Sequence, residues 1–397
     1  MLKGNAIIGQ SGGPTSVINS SLCGVIQACA RFPEAIEKIY GMRFGIEGFM
    51  KEMLIDLGAE RAEIVEGLKS TPSSALGSCR HKMQDADFPV VLELLKKYNI
   101  RYYFLIGGND TMDTIHRIEK YCREQGYDLI GVGIPKTVDN DLCETDHTPG
   151  FGSAARFVAL SVMQAGMLAR DMKKVDQFVV FQTVGREAGW LPAAAACAKK
   201  AEDDAPHIIL IPERPFVKEK FLAEAKACYE KYGWVSVVCG EGVCYADGTP
   251  ISATAVKDRF GNAEFGAMGG TSAAMVLHQM LTKEFGWRGE FQVTESLQMC
   301  AADRAVPQDI AEAWACGNRA VELAVQGTSG VMVTILRDSN APYAYSLGTA
   351  PLHAVAIGTK PMPAEFICED RYFVTDACLD YIRPLVGELP TYVRFEG

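Results

Sequence analysis

Four short stretches of this 397-residue chain concentrate residue types that handle phosphate. Residues 9–19 read GQSGGPTSVIN, 73–82 read SSALGSCRHK, 106–114 read IGGNDTMDT and 135–141 read PKTVDND. In the first, Gly12 and Gly13 let backbone N–H groups approach an anion, and a following helix would point its positive end there. Glycine turns also precede helices that bind nothing. In the second, Ser73, Ser74 and Gly77 offer hydrogen bonds and Arg80 a positive charge. The bland alternative is a polar turn with a solvated arginine. The third and fourth are acidic: Asp110 and Asp113 in one, Asp139 and Asp141 in the other, the latter pair beside Lys136 and Thr137. Carboxylates repel phosphate, but a divalent cation held between them removes the repulsion. Converged carboxylates with a lysine and glycine loops therefore suit Mg²⁺ held against phosphate oxygens, one carboxylate acting as base toward an attacking hydroxyl. Asp113 fits a helix start, where a carboxylate is favourable for ordinary reasons. A solvated charged turn is the competing reading of both acidic loops.

The elements around these loops must bring them together. NAIIG, RYYFLIGG and YDLIGVGIP are short, apolar, glycine-bounded runs that predict strands, while SVINSSLCGVIQACARF and FPVVLELLKKYNI carry helical periodicity. Strand, loop and helix in repetition argue a parallel α/β sheet, in which ligands bind beyond the carboxyl ends of the strands. The theme returns with VDQFVVFQTV, WLPAAAACAKKAE, HIILIPE, VKEKFLAEAKACYEKYG and WVSVVCGEG, which predict a second α/β unit. The turn-rich DLCETDHTPG at 141–150 is the best candidate for the first crossing between the two.

Composition narrows the function. A formal net charge of −10 argues against a nucleic-acid or anionic-membrane binder. No run of about 18 apolar residues is seen, so no membrane span is expected. Thirteen scattered cysteines without a CxxC pair, and no apolar signal segment at the start, read as reduced thiols in a cytoplasmic protein. The six histidines lack HExxH spacing. The glycine loops match neither GxGxxG nor GxxxxGK[ST], so neither a dinucleotide fold nor a P-loop is indicated.

In chain order, GGPT with its following IN, GMRFGIEG, LGSCR, GGND, PKTVDND, TPGFGSA and VGREAGW resemble the phosphofructokinases. The resemblance runs from residue 9 to about residue 190 and continues more weakly through PE at 212–213, GEG at 240–242 and AVELAVQG to YIRPLVGE. It implies two Rossmann-like three-layer α/β domains with parallel-rich sheets. The domains expected are 1–141 with about 300–345 as phosphoryl-donor domain, and 142–299 with about 346–397 as acceptor domain. The ATP-dependent members of that family have glycine where Asp110 and Lys136 stand here. A carboxylate and a long side chain would crowd and repel the α-phosphate and ribose, whereas the lysine can bond a phosphate of pyrophosphate. The resemblance thus implies a reversible pyrophosphate-dependent phosphotransferase using Mg²⁺.

Carried over position by position, the resemblance makes Asp139 the general base, with Lys136 and Arg186 also catalytic. Gly13, Arg80 and Lys136 would hold the transferring phosphates. Thr137 and Asp141 would flank the base, and Gly185, Arg186 and Glu241 would face the sugar. The metal would sit on Asp110 and Asp141, since Asn109 replaces a family aspartate. A homodimer or homotetramer is implied, because family sites borrow residues from a neighbour.

One subsite departs from the pattern. The family binds the acceptor's own phosphate through a segment reading YLQR or HIQR, and the matching ESLQM places Ser296 and Met299 at those positions. A further family arginine falls near Gln177. Neither Ser296 nor Met299 can replace a charge-assisted contact of roughly 1.5–3 kcal/mol. Either Arg288, Arg304, Lys173 or Lys174 substitutes, or the acceptor is a sugar, sugar phosphate or polyol other than fructose 6-phosphate. An inactive regulatory or binding paralogue is the third reading.

Overall fold

The central strands form because apolar runs of five to eight residues meet glycine-rich stops. In the computed structural model, which describes residues 2–253 and 270–395, the strands are β1 (Gly4–Gln10), β2 (Ile36–Met42), β3 (Leu54–Asp56), β4 (Ile100–Gly107), β5 (Ile130–Pro135), β6 (Phe178–Thr183), β7 (Ile208–Leu210), β8 (Val235–Gly240), β9 (Gly289–Val293), β10 (Val331–Asn340) and β11 (Tyr343–Pro351). They belong to two units, Met1–Ser153 with Met299–Lys360 and Ala154–Gln298 with Pro361–Gly397.

The first unit holds a seven-stranded sheet in the order β11-β10-β5-β4-β1-β2-β3. β2, β1, β4, β5 and β10 run parallel, and only the outermost strands β3 and β11 are antiparallel to their neighbours. β1 is buried along its whole length, as a strand covered on both faces must be. One face packs Ile8, Phe104, Ile106 and Val132 against the helices Ile18–Cys29 and Pro307–Val325. The other packs Ile7, Tyr103 and Leu105 against Asp87–Lys97 and Asn109–Glu124. The second unit has the four-stranded parallel sheet β7-β8-β6-β9, with Phe178, Val180, Val235 and Val237 packed against residues of Lys218–Tyr232 and Ala273–Phe285.

The chain passes between units at 153/154, 298/299 and 360/361, where the sequence placed 141/142, about 299/300 and about 345/346. Two pairings account for the shifts. β11 completes the first sheet by pairing with β10, and the 141–150 segment bonds β10 through the amide of Asp146 to the carbonyl of Ile335. The alanine-rich run after Trp190 is also shorter than its composition suggests: an α-helix spans only Trp190–Ala194, followed by a 3₁₀ turn to Ala198. The helix Phe151–Asp171 is long and apolar enough on average to cross a bilayer, but its apolar run is interrupted by Arg156 and Gln164 and more than half of its apolar window is buried inside the protein.

The two helices on the first face approach backbone to backbone. A Cβ on Gly317 would lie 2.1 Å from the carbonyl oxygen of Ser21, and one on Gly24 would lie 2.2 Å from that of Trp314. Alanine normally gains about 0.5–1 kcal/mol over glycine inside a helix. Here the added methyl must push two helices apart, a cost of about 1–3 kcal/mol. Gly317→Ala should therefore lower the urea midpoint of unfolding, while Gly67→Ala, where the Cβ meets nothing within 4 Å, should not.

Candidate active site

In the first unit, three parallel strands end side by side and deliver three of the four loops to one edge of the sheet. β1 leads into Gly12–Gly13, β4 into Gly108–Asn109–Asp110, and β5 into Lys136. The edge is stitched by backbone bonds: Ser11 N–H to Ile106 O at 3.0 Å, and Lys136 N–H to Gly107 O at 3.1 Å. The serine loop joins through Ser78, whose hydroxyl donates to Gly12 O at 2.6 Å, and through Ser73 N–H, which donates to Thr15 O. Gln10 and Asn19 clamp this loop from below. Gln10 accepts from Leu76 N–H and Asn19 from Ala75 N–H, and Gln10 Nε2 donates to Asn19 Oδ1.

Lys136 is the centre of this edge. It is 5% exposed and its Nζ donates to Gly13 O at 2.5 Å, tying the β5 loop to the β1 loop. Burial pushes its ammonium down to about 8, against the pull of Asp139 and Asp141, with Arg80 adding to the depression. Those influences place Gly13, Arg80, Lys136, Asp139 and Asp141 in one electrostatic neighbourhood. Thr137 shapes the turn between them: its Oγ1 accepts from Asp139 N–H at 3.1 Å, and its carbonyl accepts from Thr148 Oγ1 at 2.9 Å.

Asp110 is the exposed member of the set. It lies in the first turn of the helix Asn109–Glu124, its side chain 81% exposed and 3.9 Å from Lys82 Nζ. Asn109 folds back, Oδ1 accepting from Asp110 N–H. Asp113 faces Arg117 one turn on, as a helix-start carboxylate does. Among the described residues no three His, Cys, Asp or Glu side chains form a ready-made metal cage. The donors present are hard oxygens, two carboxylates on separate loops. That set fits Mg²⁺, which keeps its waters and arrives bound to substrate phosphates, and does not fit an all-protein cage.

The second unit repeats the design at its own strand ends. β6 leads into Gly185 and Arg186, and β8 into Glu241, whose N–H donates to Thr183 O. Arg186 Nε lies 3.6 Å from Glu241 Oε1. Burial raises the Glu241 carboxyl, Arg186 lowers it, and Glu295 at the end of β9 raises it again. Glu213, three residues past β7, was given no role in the sequence reading: it accepts from Gly189 N–H and from Met362 N–H, fixing the loop after Arg186. The PE at 212–213, just beyond the strand, was its only local signal.

The departures from the family pattern lie in two places. Gln177 precedes β6 at the opposite end of the sheet from Gly185, exchanging hydrogen bonds with the backbone of Arg288. Arg288 pairs there with Asp176 at 2.8 Å, and Lys173 donates to Tyr232 O. Within this unit, neither Arg288 nor Lys173 is on the Arg186 edge. Met299 belongs to the first unit, where a Cβ added to Gly13 would meet its Cε at 2.5 Å. The methyl end of a thioether thus lies against Gly13.

The depressed lysine gives a pH signature. Lys136 is cationic below about 8 and neutral above it, so binding of inorganic pyrophosphate measured by calorimetry should weaken as pH rises through that value. Lys136→Met should bind at least about tenfold more weakly at pH 7, consistent with loss of a charged hydrogen bond, and show no step near 8.

The arrangement has known counterparts. The family description "Phosphofructokinase" matches residues 5–324. The pyrophosphate–fructose 6-phosphate 1-phosphotransferase of Halomonas elongata is 38% identical over 392 residues, covering 97% of this chain and 92% of that protein. A sulfofructose kinase from Alkalicoccus urumqiensis is 32% identical, covering 92% of each. The crystal structure of a pyrophosphate-dependent phosphofructokinase from Nitrosospira multiformis superposes with a TM-score of 0.88 at 38% identity, over 99% of this chain and 94% of that one. Two Rossmann-like units with glycine-bearing loops at their strand ends, a match across most of the length and this likeness in sequence leave one conclusion: the chain belongs to the phosphofructokinase family.

Proposed function

We propose that this enzyme moves a phosphoryl group from pyrophosphate to the 1-hydroxyl of fructose 6-phosphate, giving fructose 1,6-bisphosphate and phosphate, reversibly. The observation that carries the reading is the buried Lys136 Nζ against Gly13 O. A side chain filling that position leaves a subsite for a compact phosphate and crowds the α-phosphate of a nucleotide. Lys136, Arg80 and the Gly13 backbone would hold the transferring and leaving phosphates. Asp139, set by its bond to Thr137 Oγ1, would take the acceptor hydroxyl's proton. Gly185, Arg186 and Glu241 would orient the sugar. Mg²⁺ on Asp110 and Asp141, when bound, would neutralise phosphate charge.

The thirteen free cysteines support a cytoplasmic setting. We read the enzyme as a homodimer or homotetramer, with the Gln177 edge of the second unit offered to a neighbour. Light scattering of the purified protein tests this.

A second acceptor is favoured by one observation. Met299 turns a neutral thioether onto Gly13, and with Ser296 it leaves the segment expected to bind the acceptor's phosphate without a positive charge. A screen of fructose 6-phosphate against other sugars, sugar phosphates and polyols, each with pyrophosphate, separates the readings. Turnover of fructose 6-phosphate at the highest kcat/KM supports the first. Turnover of none of them would return the chain to the regulatory-paralogue reading. Asp139→Asn should lower kcat by about 10²–10⁴-fold, the usual worth of a positioned base, while pyrophosphate still binds. Turnover driven equally well by ATP would overturn the donor assignment.

A further inference from the structure

A buried ionic knot lies in the first unit beside the turn that carries Asp139. His147, on the 141–150 segment, is 1% exposed. Its Nδ1 lies 2.7 Å from Asp146 Oδ2 and its Nε2 lies 2.8 Å from Glu312 Oε2. Glu312 projects from the helix Pro307–Val325 and is equally buried. A neutral imidazole has one N–H and an ionised carboxylate has none. Only an imidazolium donates to both partners.

The surrounding charges agree with that state. From β10, Arg337 Nε donates to Asp146 Oδ2 at 3.0 Å. Past β11, Lys360 Nζ donates to the carbonyls of Thr145 and Asp146. Glu312 Oε1 accepts from Tyr343 OH at 2.5 Å and from Gln308 Nε2 at 3.1 Å, both neutral. On the same helix, Asp309 accepts from Gly150 N–H, Ser153 N–H and Ser153 Oγ, and burial raises its carboxyl. Burial likewise raises the thiol of Cys316. With His147 neutral, Glu312 would keep only neutral donors, an expensive state for a buried anion. Burial alone would push the imidazole down, but its bonds to Asp146 and Glu312 and the charges of the same carboxylates outweigh that and raise it.

The knot holds both ends of the Asp139 turn. Thr148, next to His147, donates to Thr137 O, and Gly150 pairs with Thr137 as a parallel bridge. At the other end, Lys360 N–H donates to Asp141 O at 2.7 Å.

We propose that His147 is a positioning residue for phosphoryl transfer, an imidazolium clamped between Asp146 and Glu312 that fixes the 141–150 segment and through it the turn carrying Thr137, Asp139 and Asp141. The inference rests on the reading of that turn as catalytic. The sign of its pH dependence follows. The folded affinity for the proton exceeds that of an ordinary histidine, near 6.5. The clamp is therefore complete below that value and is lost as pH rises through the raised folded one.

The test uses full-length protein labelled with ¹⁵N-histidine and compared with Glu312→Gln and His147→Gln. In the wild type, the His147 ring signals should remain those of an imidazolium above pH 6.5, the ordinary histidine value, and amides of the 137–141 turn should move when it finally deprotonates. Glu312→Gln keeps an acceptor but removes a charge. It should shift the His147 titration, and the alkaline limb of kcat with it, to lower pH, leaving KM for pyrophosphate within about twofold. His147→Gln should lower kcat about 10–100-fold, the scale of a small misplacement, and flatten that limb. Titration of His147 at or below pH 6.5 would overturn the proposal. So would a Glu312→Gln shift that leaves both the turn amides and the kcat limb unmoved. The ring and amide signals need no turnover, so an enzyme inactive with pyrophosphate would count against the proposed function while the clamp is still decided.

Discussion

An ammonium group buried at the meeting of two strands organises one edge of the first unit's sheet. Lys136 cannot be desolvated cheaply, and its depressed proton affinity records the cost. What offsets it is local: the carbonyl of Gly13 on one side and the carboxylates of Asp139 and Asp141 on the other. The β1 loop must therefore stay where its carbonyl meets Nζ, and the β5 turn must keep both carboxylates near. Parallel neighbours make this possible, because β1, β4 and β5 end together and need no long loops to bring their residues within reach.

The same constraint reaches outward through rigid contacts. Ser78 holds Gly12, Gln10 and Asn19 hold the serine loop, and Thr148 holds Thr137. Behind Thr148 lies a second set of buried charges on His147, Asp146, Glu312 and Arg337. The first unit thus has two polar centres joined by one turn. One is built around Lys136 and its neighbouring carboxylates, and the other lies behind the turn that carries Asp139.

The loops at the ends of β1, β4 and β5 were legible in the sequence because their signal is local: glycines, a lysine and carboxylates within a few residues, each after an apolar run. The parallel core was legible for the same reason. The pairing of His147 with Glu312 was not, since 165 residues separate them, although His147 itself lies in the DLCETDHTPG stretch that was read as a turn and crossing. The exposure of the Asp110 side chain and its approach to Lys82 depend on tertiary packing that the sequence of its loop does not reveal. The last crossing was misjudged because the β10–β11 pairing, not local turn chemistry, decides where the first unit ends.

The crossing of the helices Ile18–Cys29 and Pro307–Val325 at Gly24 and Gly317 also bears on synthesis. The first helix is buried on nearly every residue, much of it under a helix made almost 300 residues later. While the ribosome produces the intervening unit, the apolar face of the first helix waits without its partner, and the sheet lacks β10 and β11 until residue 351. A chain released early would carry that face into solution. The discontinuous first unit makes production of this enzyme a matter of protecting an unfinished core, and chaperone supply becomes part of its expression.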